Sequence, residues 1–572
     1  MSSVPVHSAT WPTASEWFFL APVLLLACWG LLVLLLDVLA FRRRVSPTQR
    51  AKLLNSISLA GAFAALGLSV LLLSPGWLST DVLAANEAIF NGTISLDAAS
   101  ALLQVVVIGF LVLVISFSNT WRFTESLSEY YALLFWSAVG MVLLIEAEEF
   151  MTLFVALETM TISMYLLTAL ETRARRSAEA ALKYFIYGSV ASALFLFGLS
   201  WIYGLTGTTN LEAVGRSLAE PGLAAGIGGQ WTAGSALLLV LAGFGFKVAL
   251  VPFHQWAPDV YEGAPAPVAG WIAAGSKFAS FIALIKVLIL ALGSWSSPPG
   301  QPESPGWIAI LAVLAVVSMT YGNLAALGQQ NFKRLLAYSS IAHTGYLLVG
   351  VVAIGVSTQR AGATAAVLYY LCLYGLATLG TFAVAAWLAR DLGSDQIEDL
   401  NGLGYRSPLL AFCLSILLLS LIGIPPLAGF FGKMAMFMEA LNTGPSGKIS
   451  LTWLVAIALV NNVISAFYYV RILKAMYLRA AAGSGRASGA SLPSGVAWTL
   501  MLAAVANLGL GLYPSAFFAP LEGVAISLVT PHGPDGTDRG PRFAAPGSPP
   551  RDRHEPEQAR IVAASPAASP HH

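Results

Sequence analysis

The sequence is poor in charge: 10% of its 572 residues are Asp, Glu, Lys or Arg, where soluble globular chains carry roughly 25%. With 57% hydrophobic residues, water cannot be its main solvent. Cysteine is almost absent. Cys28, Cys372 and Cys413 stand alone in apolar runs, with no pair at metal-ligand spacing, which excludes iron–sulfur and zinc centres. Histidine is scarce too. Of seven, only His254 and His343 lie in or beside apolar runs, so a bis-histidine haem has nothing but the count in its favour. A phosphate loop is also missing: Gly270 to Lys277 lacks the Gly-Lys pair and lies inside an apolar helix, so no nucleotide site is read. No cofactor of the chain's own and no nucleic-acid partner are expected.

What is abundant is long apolar sequence. Runs of about 20 residues, the length that spans a bilayer core as helix, recur from Trp17 to about Pro514. Their spans are 17–41, 52–74, 98–118, 129–147, 149–170, 179–205, 234–258, 267–292, 307–328, 334–357, 364–389, 408–440, 449–476 and 494–516. They are unbroken rather than alternating, which excludes a β-barrel. The expected fold is all-α and polytopic, with about fourteen transmembrane helices in the lipid bilayer. The first run is not a signal peptide, since no Lys or Arg precedes it and Arg42, Arg43 and Arg44 follow it. Loops on the side of Arg42 also hold Arg50, Lys52, Arg122, Arg173, Arg175, Arg176, Lys333, Arg334, Arg390, Arg406, Arg471, Lys474, Arg479 and Arg486. The other side holds Arg216, Arg360 and Lys448. By the positive-inside rule the Arg42 side is cytoplasmic and both termini lie outside. Residues 1–16 then form an extracytoplasmic segment and 17–128 the first three helices. The stretch 531–572, rich in Pro, Gly, Asp and Arg, reads as a disordered tail.

Five lysines fall within the spans, Lys183, Lys247, Lys277, Lys286 and Lys433, and Glu158 sits near the middle of its own. A lysine at mid-bilayer costs roughly 3 kcal/mol, so these residues are expected to face the bundle interior or internal water and to serve function. Lys183 and Lys286 are nearest to span ends, where a lysine can snorkel to the headgroups. Lys286 therefore serves as the natural control for the others. The stretch Leu409 to Leu441, 33 residues, is too long for a simple crossing and contains Gly423-Ile424-Pro425-Pro426. Adjacent prolines break a helix at membrane depth, which is tolerated where the freed carbonyls meet protein or water. The seventh span has the same character: Lys247, then Pro252, then His254. Two broken helices, each with a lysine, suggest inverted repeats over 129–292 and 307–476, followed by a last span at 494–516. Lysine in water, with a pKa of about 10.4, exchanges no protons near neutrality, but desolvation brings it into range while a carboxylate contact opposes this. Such a pair is the element of a proton pump. His254 suits a relay between water and lysine, with a hydrogen-bonded structural histidine as the alternative.

The stretch Gly243-Phe244-Gly245-Phe246-Lys247, followed by Val251-Pro252-Phe253-His254-Gln255-Trp256-Ala257-Pro258-Asp259-Val260-Tyr261-Glu262-Gly263-Ala264-Pro265, resembles subunit N of bacterial NADH-quinone oxidoreductase, respiratory complex I. Gly275-Ser276-Lys277, the run Lys333 to His343, Gly423 to Lys433 and Tyr468-Tyr469-Val470-Arg471 reinforce it, and the resemblance covers about residues 15 to 515. It implies a fourteen-helix antiporter-like subunit with two inverted five-helix repeats. Glu158 would be the coupling glutamate, Lys183 and Lys247 the first-half lysines, Lys277 the central one, Lys433 the lysine of the second broken helix, and His254 and His343 relay positions. It further implies a bacterial inner membrane, other membrane-arm subunits as partners, and NADH, FMN, iron–sulfur clusters and quinone carried by other subunits. The chain departs from the family in having no proline between Glu158 and Tyr165, and in the acidic cluster Glu146, Glu148 and Glu149. Competing readings are an Mrp-type cation/proton antiporter subunit, a membrane subunit of a related hydrogenase complex, and a scaffold that pumps nothing.

Overall fold

The computed structural model describes residues 14–73, 88–90, 92–95, 97–119, 126–171, 174–220, 227–296, 306–443, 450–480 and 492–530. Residues 1–13, Arg122, Arg173, Lys448, Arg486 and the tail from 531 lie outside the described residues. Three helices come first: α1 (Ala14–Leu36), α2 (Pro47–Leu72) and α3 (Ala98–Ser118). Their starts are written locally. Ser46, ahead of Pro47, accepts from Gln49 N, and Asp97 accepts from Ser100 N, the side-chain caps that helix N-termini require. Between α2 and α3 a short ribbon pairs Ala88–Ile89 antiparallel with Ile94–Ser95.

Two sets of five crossings follow. The first comprises α4 (Leu127–Glu146), α5 (Phe150–Thr168), α6 (Arg175–Thr206), a broken helix made of α8 (Ile227–Lys247) and α9 (Trp256–Gly263), and α10 (Ala266–Ala291); the short α7 (Leu211–Ala219) lies between α6 and α8. The second comprises α11 (Trp307–Leu327), α12 (Phe332–Val356), α13 (Arg360–Leu392), a broken helix made of α14 (Pro408–Ile422) and α15 (Ala428–Leu441), and α16 (Thr452–Leu478). Because five is odd, the second set starts at the opposite end of the bundle from the first, and this inverts it. The third helix of each set is the longest, 32 and 33 residues, and each ends on a left-handed glycine, Gly207 and Gly393. Each break has a left-handed residue three positions ahead of a proline: Ala249 (φ 57°) before Pro252, and Gly423 (φ 89°) before Pro426, with a cis peptide bond to both prolines.

The opening pair of each set packs backbone against backbone. A Cβ at Gly140 on α4 would lie 2.4 Å from Met160 N on α5, and one at Gly345 on α12 would lie 2.6 Å from Met319 N on α11. Small residues let membrane helices approach this closely, since lipid offers no hydrophobic drive for association.

Twelve helices among the described residues are long and apolar enough to cross a bilayer. The two broken helices lie at the expected spans 234–258 and 408–440, where the chain is interrupted by Ala249–Pro252 and Gly423–Pro426. The last expected span, 494–516, holds α17 (Ser494–Leu512), and Pro514 stands ahead of a further helix, α18 (Ser515–Val529). Helices α10, α12 and α13 are buried along nearly their whole length, while α1, α2, α6 and α16 keep an outward face. The chain is thus a multi-pass, all-α membrane protein whose central helices hold Lys277, His343 and the tyrosines around them.

Candidate proton-conducting site

The five lysines sort by partner. Lys247, at the end of α8, is buried and donates to the Thr161 hydroxyl at 2.5 Å. Thr161 lies three residues beyond Glu158 on α5, hence on the same face. Lys277 on α10 donates to the Ser340 carbonyl (2.7 Å), the Ser340 hydroxyl (2.5 Å) and the Thr344 hydroxyl (3.0 Å), all on α12. Thr344 in turn donates to the Val248 carbonyl at 2.6 Å. Its hydroxyl therefore ties the central lysine to the unwound backbone one residue after Lys247.

From Lys277 the row continues through aromatic rings. Its ammonium lies 5.3 Å from the Tyr374 ring, which packs 5.0 Å from His343. His343 meets the hydroxyls of Tyr370 (Nδ1, 2.5 Å) and Tyr469 (Nε2, 3.3 Å). Its other flank is Tyr346 at 5.7 Å, and the Lys433 ammonium stands 4.7 Å from that ring. Lys433 donates to the carbonyls of Leu421 (2.9 Å) and Ile422 (3.1 Å) and to Asn462 Oδ1 (2.6 Å). Those carbonyls are free because α14 stops at Gly423. A cation suits them, since the last turn of a helix carries unsatisfied oxygens and the negative end of its dipole.

Lys247, Lys277 and Lys433 therefore all end on neutral oxygens, and the described residues give none of them a carboxylate partner. Each can release its proton without leaving a hydrogen-bonded carboxylate unpaired; Glu158 acts on Lys247 only through space.

The remaining positions sit elsewhere. Lys183 is part-exposed near the start of α6 and pairs with Asp259 (2.7 Å) and Glu179 (2.8 Å); Arg334 joins the same Asp259 at 2.8 Å. Glu158 accepts a hydrogen bond from Ser192 and forms no ion pair among the described residues; in place of the expected direct Glu–Lys contact it interacts with Lys247 electrostatically, without a hydrogen bond. His254 is buried with its ring against Tyr321 at 4.6 Å, not against a lysine. Lys286 does not snorkel. It is 2% exposed and donates to Glu148 Oε1 (3.0 Å) and the Ile145 carbonyl (3.1 Å), so it is no control for the buried set. Sequence reasoning missed Thr161, Ser340, Thr344 and Asn462. The available signal was the polar run Ser339-Ser340…His343-Thr344 in an otherwise apolar helix.

The family described as NADH:quinone oxidoreductase/Mrp antiporter, TM, matches residues 147–465. The chain is 38% identical over 505 residues to NADH-quinone oxidoreductase subunit N 2 of Acidobacterium capsulatum, covering 86% of this chain and 94% of that protein. It is 36% identical over 526 residues to F(420)H(2) dehydrogenase subunit N of Methanosarcina mazei, covering 90% and 99%. Among solved structures, a chain of respiratory complex I from Thermus thermophilus superposes with a TM-score of 0.66 at 32% identity, covering 87% of this chain and 99% of that one. The matched span takes in both broken helices and the whole row from Glu158 to Lys433, and the chain belongs to the NADH:quinone oxidoreductase/Mrp antiporter family of membrane subunits.

Proposed function

We propose that the chain is the proton-translocating subunit N of a bacterial NADH-quinone oxidoreductase, in which redox chemistry on other subunits drives protons through its buried row. The observation that carries this reading is the neutral-oxygen solvation of Lys247, Lys277 and Lys433 along one line of the bundle. Lys277 and Lys433 flank His343 through single tyrosine rings. Three charges in hydrocarbon cost roughly 3 kcal/mol each, and a scaffold has no use for them. Glu158, one turn from Thr161, is the group whose charge biases Lys247; Lys183 with Asp259 lines the entrance on the Arg42 side, and His254 stands at the first break. The chain sits in the inner membrane with its termini extracytoplasmic and other membrane-arm subunits as partners. It holds no redox group; NADH, FMN, iron–sulfur clusters and quinone belong to those partners. The similarity to an F(420)H(2) dehydrogenase subunit fits a part that sees only the proton side of the reaction.

The test is proton uptake and quinone-reductase activity in inverted vesicles carrying Lys247→Ala, with the exposed Lys474→Ala as control. Loss of uptake in an assembled Lys247→Ala complex, with a normal control, is expected. Normal uptake in both would hand the role to the scaffold reading, and sodium-dependent uptake would favour the Mrp-type one.

A further inference from the structure

The row described above leaves a second group of buried charges unused. At the end of the bundle away from Arg42, α4 stops at Glu146 and α5 starts after Glu149. The joint between them is held by backbone: Glu148 N donates to Thr93 O, Leu211 N to Glu148 O, and Phe150 N to Thr209 O. Into this joint α10 sends Lys286, bonded to Glu148 and to the Ile145 carbonyl, an orphan oxygen of the last turn of α4.

Glu146 and Glu148 are 5% and 3% exposed. Glu146 interacts electrostatically with both Lys286 and Asp97, and among the described residues its carboxyl takes no hydrogen bond. The other acids nearby are occupied: Asp97 by Ser100 N and Ser527, and Glu149 by Thr152 and Thr209. One lysine thus faces two buried carboxyls, and like charges sharing such a site do not both stay ionised. Glu146, Glu148 and Lys286 balance among themselves when they hold one proton beyond that of the ammonium, and the nearby Asp97 adds a further negative charge that favours this proton. A buried structural ion pair would need only Glu148 and Lys286; the second carboxyl shares the same ammonium electrostatically and takes no hydrogen bond from the described residues.

Helix α10 also links this cluster to the main row. Its segment Lys277–Lys286 has the central lysine at one end and the cluster lysine at the other, about 13 Å apart along the axis. π turns bound it on both sides, at 272–276 and 287–291, a feature common at functional sites. Ser280, between the two lysines, is fully buried and its hydroxyl has no partner among the described residues.

We infer that Glu146, Glu148 and Lys286 form a second proton-binding site of this subunit, from which protons leave on the face opposite the arginine-rich loops. The step is a transfer from the Glu146 carboxylic acid to water, leaving a carboxylate beside Lys286 that is reprotonated from within the bundle. This rests on the proton-translocating reading above.

The experiment compares protons moved per quinone reduced in whole complexes carrying Glu146→Gln, the charge-neutral pair Glu148→Gln with Lys286→Met, Lys247→Ala, and the exposed Glu220→Gln as control. Glu146→Gln is expected to assemble and lower the ratio, with the control unchanged. The neutral pair keeps the question open to test if Lys286→Met alone fails to assemble, and it is expected to lower the ratio as well. A wild-type ratio in both cluster variants, with a lowered one in Lys247→Ala, overturns this inference alone. A wild-type ratio in all of them overturns the proton-translocating reading with it.

Discussion

Thr344→Val isolates one hydroxyl in the row. Valine keeps nearly the shape of threonine, so packing on α12 is preserved while three hydrogen bonds go: those given to the Val248 carbonyl at 2.6 Å and the Ser340 carbonyl at 3.2 Å, and the one taken from Lys277 at 3.0 Å. A buried carbonyl left without a donor costs about 1–3 kcal/mol, and a bond from a charged amine is of similar size. Between membrane helices the measured mean is lower, about 0.6 with a ceiling near 1.7 kcal/mol. A loss of about 1.4 kcal/mol is a factor of ten in rate if the proton crosses this link. The assay is proton uptake and coupled quinone reduction in inverted vesicles, beside Thr344→Ser, which restores the hydroxyl, and Thr381→Val. Among the described residues Thr381 bonds only to the Thr378 carbonyl of its own helix, at 2.7 Å. Expected are a fall of roughly tenfold in Thr344→Val, recovery in Thr344→Ser, and little change in Thr381→Val. Wild-type uptake in Thr344→Val would falsify the link between the first break and the central lysine.

Three further outcomes follow from local geometry. Gly345→Leu should abolish assembly, because even a Cβ there meets Met319 N at 2.6 Å and Ala315 O at 2.7 Å; a normal yield of subunit in the membrane would refute the backbone contact. Ala249→Gly removes a Cβ from a left-handed position, φ 57°. A relief of about 1–2 kcal/mol, less roughly 0.5–1 for glycine's entropy, should raise the midpoint of thermal inactivation by up to about a degree, and a fall would refute it. Asp259→Asn leaves Lys183 with Glu179 and Arg334 with Glu262. As these groups are part-exposed, the cost should stay within about 1 kcal/mol, and a complex that fails to assemble would count against it.

The places where the chain crosses and breaks were legible because each is decided within one stretch of sequence. Insertion energy sums over about 20 consecutive residues, and Pro252 and Pro425-Pro426 remove backbone donors wherever they stand. That is why the two interrupted helices could be read, down to a lysine in each. Residues 517–530 carried no assignment for the same kind of reason: α18 is only 15 residues long, short of any crossing length.

What the lysines do was not local. Helix α10 is apolar on all sides and buried along its whole length, so no hydrophobic stripe tells which neighbour Lys277 or Lys286 meets. Their partners lie 63 and 138 residues away in the chain, Ser340 and Glu148. Nearness to a span end suggested snorkelling for Lys286, but a span end is also where a loop can fold back and cover it, as the 147–149 joint does. The property that separates the lysines is the charge of the acceptor. Lys183 and Lys286 end on carboxylates, where losing a proton leaves an unpaired negative charge. Lys247, Lys277 and Lys433 end on hydroxyls, carbonyls and an amide, which tolerate either state. A buried charge whose counter-ion is removed costs several kcal/mol, whereas neutral hydrogen-bonding groups cost far less to re-pair. On that difference a lysine is kept as a fixed charge or freed to exchange its proton, and only folding decides it.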